Sequence, residues 1–361
     1  MNNMCIASLQ MVPGIGNVRI KTLLRYFGSA DAVWKAGKHD LLASDCFDET
    51  LCNKYLKIRE RLDLDMLKDQ WDKQKIQLCN WEEPDYPVLL RNTFNAPVLL
   101  YYKGKLPDFD NNVAVVGSRK ASAYGKNTAV MLASELAAAG LTIISGAARG
   151  IDTAAHEGAL QTGKTVAVLG SGIDVVYPPE NSRLLAAIAE QGAIISEYPP
   201  GTPPHAGHFP ARNRIISGLS RGVVVVEAAE RSGSLITADF ALEEGRDVFA
   251  VPGSIFSNGS KGTHRLIQQG AKLITSANDI LEEYEIFPQK VTVHNPVLSD
   301  EETVLFECLT YDIPKDVETL VLQSSLPLPT ITYLLLQLEL RGLVSEHSEQ
   351  RYVRSTKEGA L

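Results

Sequence analysis

Between residues 111 and 284 the chain alternates short apolar runs with amphipathic helical stretches, and most runs end in a loop of Gly, Ser or Arg. The strand-length runs are 113–116, 142–144, 166–169, 193–196, 223–227, 248–251 and 273–275. Helical patterns between them include 127–139, 152–161 and 235–244. Apolar runs of this kind leave neither side of a strand for water, so they predict a mostly parallel sheet covered on both faces. Right-handed crossovers wind such a sheet into a Rossmann-like, doubly wound α/β fold. Its ligand crevice lies outside the carboxyl ends of the strands, where the turns gather.

Those turns carry the chemistry. Gly117-Ser118-Arg119 follows the first run directly, where a hydroxyl, turn amides and a guanidinium can hold a phosphate. Ser145-Gly146-Ala147-Ala148-Arg149-Gly150, Gly170-Ser171-Gly172 and Ser232-Gly233-Ser234 repeat the theme. Phe209-Pro210-Ala211-Arg212-Asn213-Arg214 is the densest cluster, joining an aromatic face to two cations, as binders of single strands do. Arg183, in the first turn of a helix, opposes the helix dipole and hints at an anionic partner. Several phosphate loops in a row predict a ligand with several phosphates. Arg149 either points into the crevice with Asp152 orienting it, or forms an ion pair with Asp152 at a helix start. Tyr177 either stacks on a base or fills its loop, and Asn181 is expected to cap the next helix.

Other chemistries are poorly supported. Gly117, Arg119 and Ser122 stand where a dinucleotide fingerprint needs three glycines, and no Walker pattern occurs. His156, His205 and His208 lack metal-ligand spacing, and no nucleophile–base set is visible, so no cofactor, metal or catalytic residue is expected. The competing readings are a Rossmann-like hydrolase of nucleoside monophosphates, with Glu227 as its acid, and a purely architectural interaction protein. The five cysteines are scattered and odd in number, which fits a reducing cytoplasm. No apolar stretch approaches the roughly 18 residues of a membrane span, and residues 1–5 do not read as a secretory signal.

Residues 1–80 read as a helical unit. Val12-Pro13-Gly14-Ile15-Gly16 forms either the turn of a helix-hairpin-helix or SAM-like domain, or a simple turn in a small bundle. Residues 81–110 are Pro-rich and extended, a lead-in to the sheet. A linker at 285–298 precedes a unit at 299–361 whose three helical patterns and short β-ribbon suggest a winged helix. Net charge is −8, unevenly spread: balanced over 1–110, +2 over 111–221 and −10 over 222–361. The winged unit is itself acidic, and its third helical pattern is leucine-rich with only Arg341 basic, so it reads as a protein-contact or regulatory module rather than a duplex reader.

The middle segment resembles the bacterial DprA/Smf (DNA processing protein A) family. The resemblance rests on Gly117-Ser118-Arg119, residues 145–152, Asp174 with Tyr177-Pro178, residues 209–217, 232–238 and 245–253. It implies a cytoplasmic homodimer that binds and protects single-stranded DNA and loads the RecA recombinase during natural transformation. It also implies that Gly117, Ser118 and Arg119 help form the phosphate pocket, and that the region of His264, Ile267 and Leu273 lies at the dimer interface. Two departures stand out. His264 follows Lys261-Gly262-Thr263 where relatives carry Asn, and Val175 replaces a Lys seen in some of them, a contact that Arg183 could replace.

Overall fold

The strand Asn112–Val116 (β3) is buried along its whole length, and its side chains alternate between two cores. Val113 and Val115 pack on one face of the sheet with helices Ala123–Ala138, Ile151–Thr162 and Asn278–Glu283. Ala114 and Val116 pack on the other with helices His208–Gly218, Gly233–Glu243 and Lys261–Gln268. Each such valine contributes about 1.5–3 kcal/mol of burial, and the period of two fixes the register of the whole layer. The computed structural model describes residues 2–287, 298–348 and 350–355; most of the expected linker lies outside them.

The central sheet has nine strands in the order Gln77–Asn80 (β1), Leu99–Gly104 (β2), Ala193–Ser196 (β6), Thr165–Leu169 (β5), Thr142–Ser145 (β4), β3, Gly222–Val225 (β7), Asp247–Ala250 (β8) and Lys272–Leu273 (β9). From β3 the chain steps outward through β4, β5 and β6, all parallel. It then returns to the other side of β3 and continues through β7, β8 and β9. The order therefore reverses at β3 and β7, which is the switch point where open α/β sheets hold ligands.

The segment expected to be a lead-in does more than lead in. Leu99–Gly104 (β2) pairs antiparallel with β6, and Gln77–Asn80 (β1) pairs antiparallel with β2, so both join the sheet. Leu100 faces the core of the second face, while Leu99 and Tyr101 face the N-terminal helices. Those helices, including Asn2–Gln10 and Asn17–Phe27 around the Gly14 turn, share one continuous core with β2, β5, β6 and helix Ser182–Gln191. Trp71 meets Tyr101 edge-on, with ring centroids 5.7 Å apart.

The last unit has helices Asp300–Cys308, Val317–Ser324 and Leu328–Leu340, and a small sheet of Lys315–Asp316 (β10), Val344–Ser348 (β11) and Arg351–Arg354 (β12). This is a winged helix. It rests on the central domain, where the Asn127 amide donates to the carbonyls of Tyr311 (2.9 Å) and Arg354 (3.1 Å). Among the described residues no single helix is long and apolar enough to cross a membrane.

Candidate nucleic-acid interface

An open cleft of about 910 Å³ lies at the switch point. Its walls come from the loop after β3, the loop after β4, Tyr177 beyond β5, the loop after β6 with the first turns of helix His208–Gly218, the loop and helix start after β7, and Asn258 and Gly259 beyond β8. Gly117, Ser118, Arg119, Phe209, Arg212, Asn213, Ser232, Gly233 and Ser234 all line it. A smaller recess adjoins it, sharing Arg119, Tyr177, Phe209 and Arg212 and adding Gly146, Arg149 and Gly170.

Arg119 is exposed and has no carboxylate partner among the described residues. Its guanidinium sits 5.2 Å from the centroid of Phe209, whose ring lies 5.4 Å from that of Tyr177 at a 33° tilt. Phe209 reaches this place because position 170 is glycine: a Cβ there would lie 2.9 Å from the ring. Lys120, which sequence reasoning passed over, adds a second exposed cation to the same wall. The start of helix Gly233–Glu243 opens onto the cleft, where Ser232 caps it by accepting from the Ser234 amide at its hydroxyl (3.4 Å) and from the Leu235 amide at its carbonyl (3.1 Å). Asn213 steadies that corner by donating to the Gly233 carbonyl at 3.2 Å.

Arg212 is only 3% exposed. Its Nη1 donates to the carbonyls of Gly146 (2.6 Å) and Val168, tying the ends of β4 and β5 together. A Cβ at position 146 would strike the guanidinium at 2.5 Å, so glycine is required. Burial, partly offset by Asp152, pushes the guanidinium down to about 10. Asp152 is also buried and accepts from the Ala148 amide at 3.3 Å; burial raises its carboxyl above the usual range against the pull of Arg212. Beneath the loops, then, lie a buried guanidinium and a buried carboxyl, each bonded to backbone that it positions.

Several expectations need correcting. Arg214 does not line either hollow. Two residues on a helix turn the side chain by about 200°, and Arg214 instead pairs with Glu197, itself held by Asn17 of the N-terminal unit. Gly172 lies away from the cleft, its amide donating to Thr202 at 2.8 Å. Arg183, exposed on helix Ser182–Gln191, and Val175 line neither hollow. Asp152 does not orient Arg149, which forms an exposed ion pair with Glu180. Asn181 makes no cap; it donates to the Ala147 carbonyl and Thr153 hydroxyl, both at 2.9 Å. The Ser118 amide, expected to meet phosphate, donates to the Glu227 carbonyl at 2.7 Å. Glu227 lies behind the wall, its carboxylate accepting from the Ser122 amide (2.9 Å) and hydroxyl (2.6 Å). Away from the cleft, His264 Nε2 lies 3.0 Å from the Gly253 carbonyl, Ile267 packs partly on the core and Leu273 is 47% exposed on edge strand β9.

Fold and cleft together define a Rossmann-like protein with a cation-edged crevice and an appended winged helix. The family model of DNA recombination-mediator protein A matches residues 77–285, and that of the DprA winged helix domain matches 292–350. The chain belongs to this DprA/Smf family. DNA processing protein DprA of Streptococcus pneumoniae is 46% identical over 275 residues, covering 75% of this chain and 95% of its own. Protein Smf of Synechocystis is 35% identical, covering 95% and 96% respectively. The X-ray structure of the pneumococcal protein superposes with a TM-score of 0.67 at 43% identity over 78% of this chain and 98% of that one. DNA processing protein A of Helicobacter pylori, described for its single-stranded DNA binding mode, gives 0.53 at 32% identity over 58% and 96%. The chain is therefore a DNA-processing protein of recombination.

Proposed function

We propose that the cleft holds single-stranded DNA and does no chemistry on it. The observation that carries this reading is the Arg119–Phe209–Tyr177 stack: a guanidinium with no carboxylate partner among the described residues, and two rings, at the edge of a cleft into which a helix start opens. Rings accept bases of any sequence, and guanidinium and amides hold the backbone between them. The Helicobacter relative binds single-stranded DNA, which supports the same ligand here. We read the cellular role as protecting incoming single strands and loading RecA in natural transformation, in the cytoplasm. We read the assembly as a homodimer meeting at His264, Ile267 and Leu273. The short edge strand β9 with its exposed leucine supports that face.

The direct test is fluorescence anisotropy with labelled oligo-dT across a salt series. Arg119→Ala is expected to weaken binding about tenfold, and losing one phosphate contact lowers the log–log salt slope by about 0.7. An unchanged affinity and slope would remove the cleft from consideration. A RecA pull-down with and without oligo-dT tests the loading role.

A further inference from the structure

The winged helix carries an apolar seam that its own fold leaves uncovered. Helix Leu328–Leu340 buries Ile331, Leu334, Leu335 and Leu338 in the core of the unit. On the opposite side stand Pro329, Tyr333, Leu336 and Leu340, all exposed, with Tyr333 at 61%, Leu336 at 53% and Leu340 at 72%. At 100° per residue these four fall within about 60° of one another, facing away from the buried set. Their spacing of four, three and four is the rhythm by which one helix seats another. A third helix of this kind meets duplex DNA through this face when it reads a major groove. Here the helix has no Lys or Arg anywhere along it, so the face lacks what phosphate contact requires.

Charge selects the occupant. Asp300, Glu301, Glu307, Glu318 and Glu339 are exposed on the same small unit. Its cations are mostly engaged: Arg341 pairs with Glu302 at 2.8 Å, Lys315 donates to Gln323 at 2.8 Å and Arg354 lies 4.5 Å over Phe306. The unit as a whole therefore carries a strong excess of negative charge, with Glu339 on the seam's own helix. A second copy of this unit, a nucleic acid or an anionic lipid surface would each bring like charge against it. A cationic, amphipathic helix would bring complementary charge to the acidic unit and leucine-type side chains to the seam.

We propose that Pro329, Tyr333, Leu336 and Leu340 receive a helical segment of a partner protein, apolar along one stripe and flanked by Lys or Arg. The surface is separate from the strand-binding cleft, whose lining includes none of these residues.

The test uses the full chain and two labelled helical peptides of about three heptads, each with a leucine stripe, one flanked by Lys and the other by Glu. The Lys-flanked peptide is expected to bind at least about tenfold more tightly than the Glu-flanked one, and to weaken as salt screens the acidic unit. The double variant Leu336→Glu/Leu340→Glu is expected to lose at least about tenfold of that affinity, while oligo-dT affinity and the melting temperature stay unchanged. Leu336→Ala/Leu340→Ala, which adds no charge, is expected to show a smaller loss in the same direction. Equal binding of both peptides, or peptide binding indifferent to the variants, would overturn the proposal. So would duplex DNA binding, or self-association, that disappears with Leu336→Glu/Leu340→Glu.

Discussion

Arg212 and Arg214 stand two positions apart on one helix, yet one braces the floor of the cleft and the other clasps Glu197 at the N-terminal unit. Sequence proximity made them look like a matched pair, but only the helical turn between them decides which carbonyl or carboxylate each meets. A third buried group is more revealing. Thr165 spends its hydroxyl proton on the Ile143 carbonyl at 2.7 Å, so at 2.7 Å it must accept from Nδ1–H of His156. Nε2 is then the bare nitrogen, buried without a partner among the described residues, and burial pushes the imidazole down to about 3. The unfolded chain takes up this proton near the usual pH of about 6.5, whereas the folded one refuses it. Stability is therefore fully present above that pH and is lost as pH falls toward 3, by at most about 1.4 kcal/mol per unit from this group. Urea unfolding from pH 7 to pH 4 should show that decline, and His156→Asn should flatten it. An identical slope in the variant would show that another group carries the effect.

At the scale of elements, glycines separate two demands that sequence alone merges. At Gly117 a Cβ would lie 2.6 Å from Ile151 and 2.9 Å from the Glu227 carbonyl, so the residue is needed for the β3 loop to pack on helix Ile151–Thr162. Gly117→Ala is expected to cost about 1–3 kcal/mol in urea unfolding. At Gly233, by contrast, a Cβ would meet nothing within 4 Å. Gly233→Ala at this helix start should leave stability unchanged or raise it by up to about 1 kcal/mol. It should still weaken oligo-dT binding, because the added methyl stands where the strand would approach the helix amides. If oligo-dT binding survives intact, the strand does not run close to that helix start. The parallel strands β3 to β8 were legible because burial on both faces writes continuous apolar runs, whereas the run at 273–275 only overlaps β9, whose two residues are exposed. β1 and β2 were not, because their neighbourhood is Pro-rich and β6, the strand that ties β2 and through it β1 into the sheet, lies some ninety residues beyond β2. The cleft loops were legible for the same reason as the strands, since each begins where an apolar run stops. The Ser118 amide was misread because its acceptor, the Glu227 carbonyl, is over a hundred residues away.

At the scale of the whole molecule, the sheet ends at β9, two residues long, with Leu273 turned outward. On the homodimer reading, Leu273→Asp should convert a dimer to a monomer in light scattering, and oligo-dT affinity per protomer should fall where two clefts share one strand. A dimer that persists in the variant would move the interface elsewhere. The opposite edge behaves differently. β2 is zipped to β6 on one side and to β1 on the other, and its outward residues Leu99 and Tyr101 are roofed by the helices that come before it. Cutting the chain ahead of β2 to isolate the nucleotide-grasping part would therefore unroof a greasy flank together with Leu169 and Ile188. The front of this protein is a lid over its own sheet, and a shortened version should clump unless that flank is repainted with polar side chains.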